Sequence, residues 1–145
     1  MKLKSKDFTE GGNIPSEFTC DGRNISPQLE WEDVPEGTKS FALSVTDPDS
    51  YGGDWIHWYV HGISKDLRNI ERGSLPEGAE EVENDFGKKT YGGPCPPSGT
   101  HRYVFTLYAL GTEHLEGLNK RNFLDKVEKH AIVKAALKGL YKRRW

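Results

Sequence analysis

Alternating apolar and polar positions predict short β-strands along most of this chain. Three runs, at 40–47, 55–63 and 101–110, place apolar or aromatic side chains at every second position. That period is typical of strands with one buried face. Weaker runs of the same kind occupy residues 2–8, 28–31 and 80–85. Because Gly- and Pro-containing turns separate the runs, the pattern favours an antiparallel β-sandwich or a barrel-like fold.

The same alternation assigns polar side chains to faces. In the run 40–47, Asp47 lies on the face of the apolar residues, so its carboxylate is expected to point toward the core. A buried carboxylate must be paired, hydrogen-bonded or protonated. In the run 101–110, His101 and Tyr103 begin a face that apolar residues continue. The aromatic run 55–63 is expected to place four side chains on one side: Trp55, His57, Tyr59 and His61.

One short helix is predicted near the C-terminus. Asn122 is a suitable N-cap, and Phe123, Leu124 and Val127 follow at helical spacing. The next run, 132–142, is ambiguous, because part of it alternates like a strand and part has apolar residues at helical spacing. Local sequence alone leaves both structures open for that segment.

Length and charge limit the classes of function. The 145 residues suit one domain over 1–145, and 20 basic residues nearly balance 22 acidic ones. This balance argues against a nucleic-acid partner, which would require a basic surface. No stretch has the roughly 20 apolar residues that a membrane span needs. Residues 1–6 include no apolar signal core, so a cytoplasmic location is expected.

The two cysteines, Cys20 and Cys95, form no CxxC pair. Their number and spacing predict reduced thiols rather than a disulfide framework, and they argue against a cysteine-based zinc site. No metal motif such as HExxH, no nucleophile elbow and no phosphate loop is present in the sequence. We therefore expect neither a cofactor nor a bound metal.

The candidate chemistry is concentrated in Asp47, Asp49, His57, His101 and Tyr103. Two histidines, two carboxylates and a phenol can hold an anion, and nearby carboxylates are expected to raise the pKa of the histidines. The same groups can serve as general acid and base, or as a His/Asp metal site. The simplest alternative is structural, since Asp-Pro-Asp-Ser is ordinary turn chemistry and a lone histidine in an aromatic strand is usually a core residue.

A loop rich in Gly and Pro precedes His101. Within residues 91–100, three prolines fix φ angles, and the glycines allow the backbone to approach a ligand closely. We expect this loop to shape one wall of a pocket.

Several motifs resemble the phosphatidylethanolamine-binding protein family, and most closely its bacterial and archaeal branch, known as Raf kinase inhibitor-like. The resemblance covers nearly the whole chain. The motifs are Asp47-Pro48-Asp49, His57-Trp58, the segment Gly93-Pro94-Cys95-Pro96-Pro97-Ser98-Gly99-Thr100-His101-Arg102-Tyr103, the segment Cys20-Asp21-Gly22-Arg23-Asn24-Ile25-Ser26-Pro27, Trp31, and Val34-Pro35-Glu36-Gly37-Thr38-Lys39-Ser40.

The resemblance implies a β-sandwich with a large antiparallel sheet, Greek-key connections and a small anion pocket at one end. It implies phosphate, carboxylate or phospholipid head groups as ligands, makes 132–142 a strand after the helix, and suggests a homodimer. The chain departs from the family pattern at two places. It has Ser50-Tyr51 where the family commonly has Ala-Pro, and it has His61, to which we assign no role, where the family more often has a non-titrating residue. Tyr51 is expected at the rim of the pocket. The matching pocket positions are Asp47, Asp49, Trp55, His57, Gly93, Pro94, His101 and Tyr103.

Two functions follow from these observations, beside a third possibility, a structural protein with a vestigial pocket, which the rigid loop makes less economical. The first is a binding module that recognises an anionic group and, like relatives that inhibit kinases or serine proteases, regulates a kinase or protease partner. The second is a hydrolase or lyase with His57 or His101 as base and Asp47 as its orienting group. The enzyme hypothesis has no evident nucleophile, because Cys95 lies between prolines with no helix N-terminus to activate it. The sequence therefore favours binding over catalysis.

Overall fold

Two antiparallel sheets and one helix make up the protein in a computed structural model that describes residues 1–143. Arg144 and Trp145 lie outside the described residues. In chain order the elements are β1 (Lys2–Lys4), a 3-10 helix (Ser16–Phe18), β2 (Leu29–Glu32), β3 (Ser40–Asp47), β4 (Trp55–Ser64), β5 (Asn69–Ile70), β6 (Glu80–Val82), β7 (His101–Leu110), α1 (Phe123–His130) and β8 (Ala131–Tyr141).

The large sheet has the strand order β6-β4-β3-β7-β8, and the small sheet has the order β1-β2-β5. This arrangement confirms the mainly β fold with a short C-terminal helix. The three strong strand predictions are confirmed at β3, β4 and β7. The weaker run 28–31 forms β2 one residue later, whereas the runs 2–8 and 80–85 form shorter strands than predicted. The ambiguous segment after the helix is the strand β8, as the family resemblance implied.

The core lies in two layers, one on each face of the large sheet. The layer between the two sheets holds the apolar side chains of β3 and β7, and the second layer lies between the large sheet and α1. Strand β3 is buried on both faces over almost its whole length, which its small residues Ala42 and Ser44 permit. Each large apolar side chain buried in this way contributes about 1.5–3 kcal/mol.

A β-bulge at His57 changes the faces that alternation predicted for β4. The register of β4 on β3 jumps from Trp58 opposite Val45 to Ile56 opposite Thr46, which leaves His57 without a partner. The prediction that four side chains share one side is therefore wrong for Tyr59 and His61. Both contact Phe123 of α1, on the other face of the sheet. The bulge keeps His57 on the side of Tyr103.

The prediction of reduced cysteines is wrong. Cys20 and Cys95 form a disulfide with their Cα atoms 5.4 Å apart. The two residues are 75 positions apart in sequence, so neither spacing nor motif could indicate the bond. The fold itself brings the segment after the 3-10 helix against the proline-rich loop, where the Cys20 amide also donates to the Pro94 carbonyl. Among the described residues, no helix has the length and apolar character that crossing a membrane requires.

Candidate functional site

Asp47, the last residue of β3, lies beside the first residues of β7. Its side chain is almost fully buried, and both carboxylate oxygens accept hydrogen bonds. His101 Nδ1 donates to Oδ2 at 2.7 Å, and the Asp49 amide donates to Oδ1 at 2.8 Å. Two donors, one of them an imidazole, satisfy the buried charge. Asp47 therefore fixes the orientation of the His101 ring and leaves its Nε2 as the other available ring nitrogen.

His57 reaches the same place from the bulge in β4. Its Nδ1 lies 2.6 Å from the Gly92 carbonyl oxygen, and the Gly92 amide donates to the His57 carbonyl at 3.0 Å. Burial lowers the pKa of His57, with the carbonyls of Gly92 and Gly93 and the charge of Asp47 acting in the opposite direction. The expectation of a raised pKa for this histidine is therefore wrong: Asp47 does act to raise the pKa, but desolvation is the larger effect.

Tyr103 lies in contact with both imidazole rings. Its ring centroid is 5.3 Å from that of His57 and 6.4 Å from that of His101. The side chain is 1% exposed, and its hydroxyl has no hydrogen-bond partner among residues 1–143. Burial raises the pKa of Tyr103, and Asp47 and Asp49 act in the same direction, so the phenol keeps its proton at ordinary pH. Tyr103 is therefore a neutral phenol whose ring packs against two histidines and whose hydroxyl has no partner among the described residues.

The proline-rich loop forms the wall of this cluster and is packed closely against the segment that follows the 3-10 helix. Gly93 donates its amide to Asn24 Oδ1 at 2.8 Å. A Cβ at Gly93 would lie 2.3 Å from the Phe18 carbonyl oxygen, a distance that no side chain permits. Gly93 and Pro94 are both buried. The disulfide of Cys95 adds a covalent link next to these contacts.

Asp49 is engaged by Arg102 on the outer side of the cluster. The Arg102 side chain donates to both carboxylate oxygens at 2.8 and 2.9 Å, and its backbone amide donates to Oδ2 at 2.8 Å. These hydrogen bonds lower the pKa of Asp49 to about 2. Asp49 thus joins the loop after β3 to β7, and its own amide holds Asp47.

Aromatic side chains surround His57 at the rim. The Phe86 ring lies 5.3 Å from His57 and 5.6 Å from Trp55, measured between ring centroids. Both Trp55 and Phe86 are more than one third exposed, and Tyr51 is fully exposed to solvent. The buried Asn84 supports this part by accepting the amides of Phe86 and Lys88 and donating to the Thr90 carbonyl. The rim therefore offers apolar surface beside a polar cluster.

Most of the predicted pocket positions meet at one end of the large sheet. Asp47, His57, His101 and Tyr103 form its centre, with Gly93 and Pro94 as the wall, Trp55 at the rim and Asp49 bound to Arg102. The prediction missed the roles of Arg102, Asn24, Asn84 and Phe86. An asparagine before an Asp-Phe-Gly turn was the local signal in the sequence that could have indicated Asn84.

The described residues contain no group of three or more His, Cys, Asp or Glu side chains arranged to hold a metal ion. One cleft, of about 1100 Å³, is lined by Pro15, Tyr141 and Thr100, the last on the loop that precedes His101. Others of about 710 and 410 Å³ lie beside His61 and Glu80 and beside Leu67 and Pro76.

Comparison with known proteins identifies relatives of this chain. Residues 4–142 match the family model described as phosphatidylethanolamine-binding protein. The UPF0098 protein of Methanothermobacter thermautotrophicus is 47% identical over 150 residues, which cover 99% of each chain. The crystal structure of Escherichia coli YbcL, described as a new member of the mammalian PEBP family, superposes with a TM-score of 0.94 and 32% identity, over 99% of this chain and 98% of YbcL.

A second solved structure, a putative homologue of phosphatidylethanolamine-binding protein from Chlamydia trachomatis, has a TM-score of 0.90 and 37% identity. The alignment covers 99% of this chain and 97% of that protein.

Proposed function

This chain belongs to the phosphatidylethanolamine-binding protein family, and on that premise we propose that it binds a small anionic group in the cluster of His57, His101 and Tyr103. The ligand is a phosphate or carboxylate, free or as part of a phospholipid head group. Asp47 orients His101, and the loop with Gly93 and Pro94 closes the site from one side.

The observation that carries this proposal is the unpaired hydroxyl of Tyr103. A buried hydroxyl without a partner costs about 1–3 kcal/mol, so native proteins seldom retain one. The Tyr103 ring packs against two imidazoles, and its hydroxyl is closed to solvent, so an anion that displaces the surrounding side chains and reaches it would accept its hydrogen bond. A bound anion would give this hydroxyl the acceptor that the described residues do not supply.

We favour binding over catalysis for the same site. The sulfur of Cys95, the one thiol considered as a nucleophile, is joined to Cys20. Asp47 and His101 form an orienting pair, and such a pair needs a nucleophile or a positioned water before it can act in hydrolysis. The aromatic rim of Trp55 and Phe86 suits recognition of a larger molecule that carries the anion.

Through that anion we propose recognition of a lipid head group or of a kinase or protease partner. A cytoplasmic location and a homodimer belong to the same proposal. Sedimentation of the purified chain tests the oligomeric state, and fractionation of the source cells tests the location.

The experiment compares phosphate affinity and stability in Tyr103→Phe. We expect this substitution to leave the free energy of unfolding unchanged or to raise it by about 1 kcal/mol, because it removes an unsatisfied buried hydroxyl. The phosphate dissociation constant should rise about tenfold or more, since a hydrogen bond to a charged ligand is lost. His101→Ala should weaken phosphate binding as well without unfolding the domain.

Tyr108→Phe is the matched control on the same strand. The Tyr108 hydroxyl lies on the opposite face and is 3.2 Å from Ser44 Oγ. Its removal should lower stability by about 1 kcal/mol and leave phosphate affinity unchanged. Calorimetric titration with chemical unfolding gives both quantities. A Tyr103→Phe variant that binds phosphate as tightly as the parent would contradict the proposed site.

A further inference from the structure

His57 presents one ring nitrogen to the Gly92 carbonyl, and that contact fixes which nitrogen carries the proton. A carbonyl oxygen only accepts hydrogen bonds, so Nδ1, at 2.6 Å from it, must be the donor. In a neutral imidazole the other nitrogen, Nε2, then has a free lone pair. The hydrogen bond that the ring makes to a described residue goes through Nδ1. Nε2 is therefore an acceptor to which the protein supplies no donor.

The surroundings of His57 oppose a second proton on the ring. The side chain is 3% exposed, and it is packed edge-on against Tyr103 and Phe86. Desolvation lowers the pKa of this imidazole, which agrees with the geometry. The neutral form, with Nδ1 protonated and Nε2 bare, is the state that a ligand meets near neutral pH.

Tyr103 and the imidazolium form of His101 are the donors of the site. The Tyr103 hydroxyl has no partner among residues 1–143, and His101, held through Nδ1 by Asp47, donates from Nε2 when its ring carries both protons. A ligand that satisfies the whole site must accept hydrogen bonds from Tyr103 and His101 and donate one to His57. An oxyanion whose oxygens are all unprotonated cannot do this.

We propose that the site selects an anion that carries its own hydrogen, such as hydrogen phosphate, over an aprotic tetrahedral anion of the same shape, such as sulfate. This inference rests on the proposed function and specifies the ligand class. The P–OH of hydrogen phosphate donates to His57 Nε2, while its other oxygens accept from Tyr103 and His101. Sulfate would place a charged oxygen against a lone pair, or would require His57 to take up a proton that its burial opposes. Sites built around a ligand hydrogen discriminate strongly against analogues that lack it.

The test measures phosphate and sulfate affinity at one neutral pH and equal ionic strength, on the intact chain. Binding is followed by the side-chain ¹⁵N signals of the histidines, assigned with His57→Gln and His101→Asn. We expect phosphate to bind about 10- to 100-fold more tightly than sulfate, because one buried acceptor is left without a donor in the sulfate complex. His57 should show the Nδ1–H tautomer before and after phosphate is added.

His57→Gln tests the same inference through the ratio of the two affinities. A glutamine amide near the position of Nε2 can present either N–H or C=O, so the preference for phosphate should fall toward unity. His61, in the same strand but on the face covered by α1, is the internal reference and should not shift with either anion. Should the variant fail to fold, the affinity ratio and the tautomer of the parent still decide the matter.

Three results would overturn the inference. Equal affinity for the two anions would overturn the selectivity and leave anion binding intact, as would an Nε2–H tautomer of His57 in the parent. Failure of both anions to shift His57 and His101 would overturn the proposed function together with the inference.

Discussion

Removal of the Cys20–Cys95 disulfide should destabilise the protein far more than it weakens ligand binding. The bond closes a loop of 75 residues, and the chain-entropy relation gives about 4.5 kcal/mol for a loop of this length. Removal of a native disulfide typically lowers the free energy of unfolding by about 2–5 kcal/mol, so we expect a loss within that range. This is a large share of the roughly 5–15 kcal/mol by which domains of this kind are stable.

Binding should respond differently because other contacts also hold the wall of the site. The Cys20 amide still donates to Pro94, Gly93 still donates to Asn24, and the Tyr91 hydroxyl still donates to the Phe18 carbonyl. Well below the unfolding transition, we therefore expect the phosphate dissociation constant of Cys20→Ser/Cys95→Ser to change less than about threefold. That change corresponds to about 0.7 kcal/mol.

The assay is guanidinium chloride unfolding of the oxidised parent, the double variant and each single variant. Both single variants should lose as much stability as the double variant, because either one removes the cross-link. The free energy of unfolding should fall more steeply with denaturant concentration when the disulfide is absent, since the unfolded chain is then less compact. A loss below about 1 kcal/mol, or two reactive thiols in the unreduced parent, would refute this reasoning.

Two further predictions concern the contacts around the site. Asp49 should titrate with a midpoint of about 2 by carboxyl NMR, and Arg102→Ala should return that midpoint toward the ordinary value of 3.8, because Arg102 supplies the hydrogen bonds that lower the pKa. Because the folded-state pKa of Asp49 is depressed, this contact stabilises the protein above about pH 4, and its contribution is lost as the pH falls toward 2. An unchanged Asp49 midpoint in Arg102→Ala would show that the contact is absent. Gly93→Ala should destabilise the protein by about 1–3 kcal/mol or more in thermal unfolding, because its Cβ would meet the Phe18 carbonyl at 2.3 Å. Gly111→Ala, whose Cβ would have its nearest neighbours at 3.8 Å, is the control and should cost less than 1 kcal/mol; equal losses in the two variants would contradict the close packing of the wall.

Strands with strong one-sided alternation could be predicted from local sequence. β3 and β7 match the predicted bounds, because their apolar side chains fill the layer between the sheets. The segment that became β8 could not be predicted in this way. Its apolar positions suit either a strand or a helix, and pairing with β7 is a long-range contact that decides between them.

The pairing of distant residues was the part of the site that sequence could not supply. One extra residue at His57 reversed the faces of Tyr59 and His61, and no local feature of an aromatic run indicates such a bulge. The link of Asp49 to Arg102 and the link of Cys20 to Cys95 likewise depend on the fold. The expected rise in histidine pKa was wrong for His57 because burial outweighs the neighbouring charge.

The most direct test of the central claim is histidine side-chain NMR of the intact chain during a phosphate titration. Our account predicts that the signals of His57 and His101 move together and saturate, while His61, His114 and His130, which lie away from Tyr103, stay fixed. If His57 and His101 do not respond up to millimolar phosphate, the cluster is not an anion site, and the protein must act through another surface.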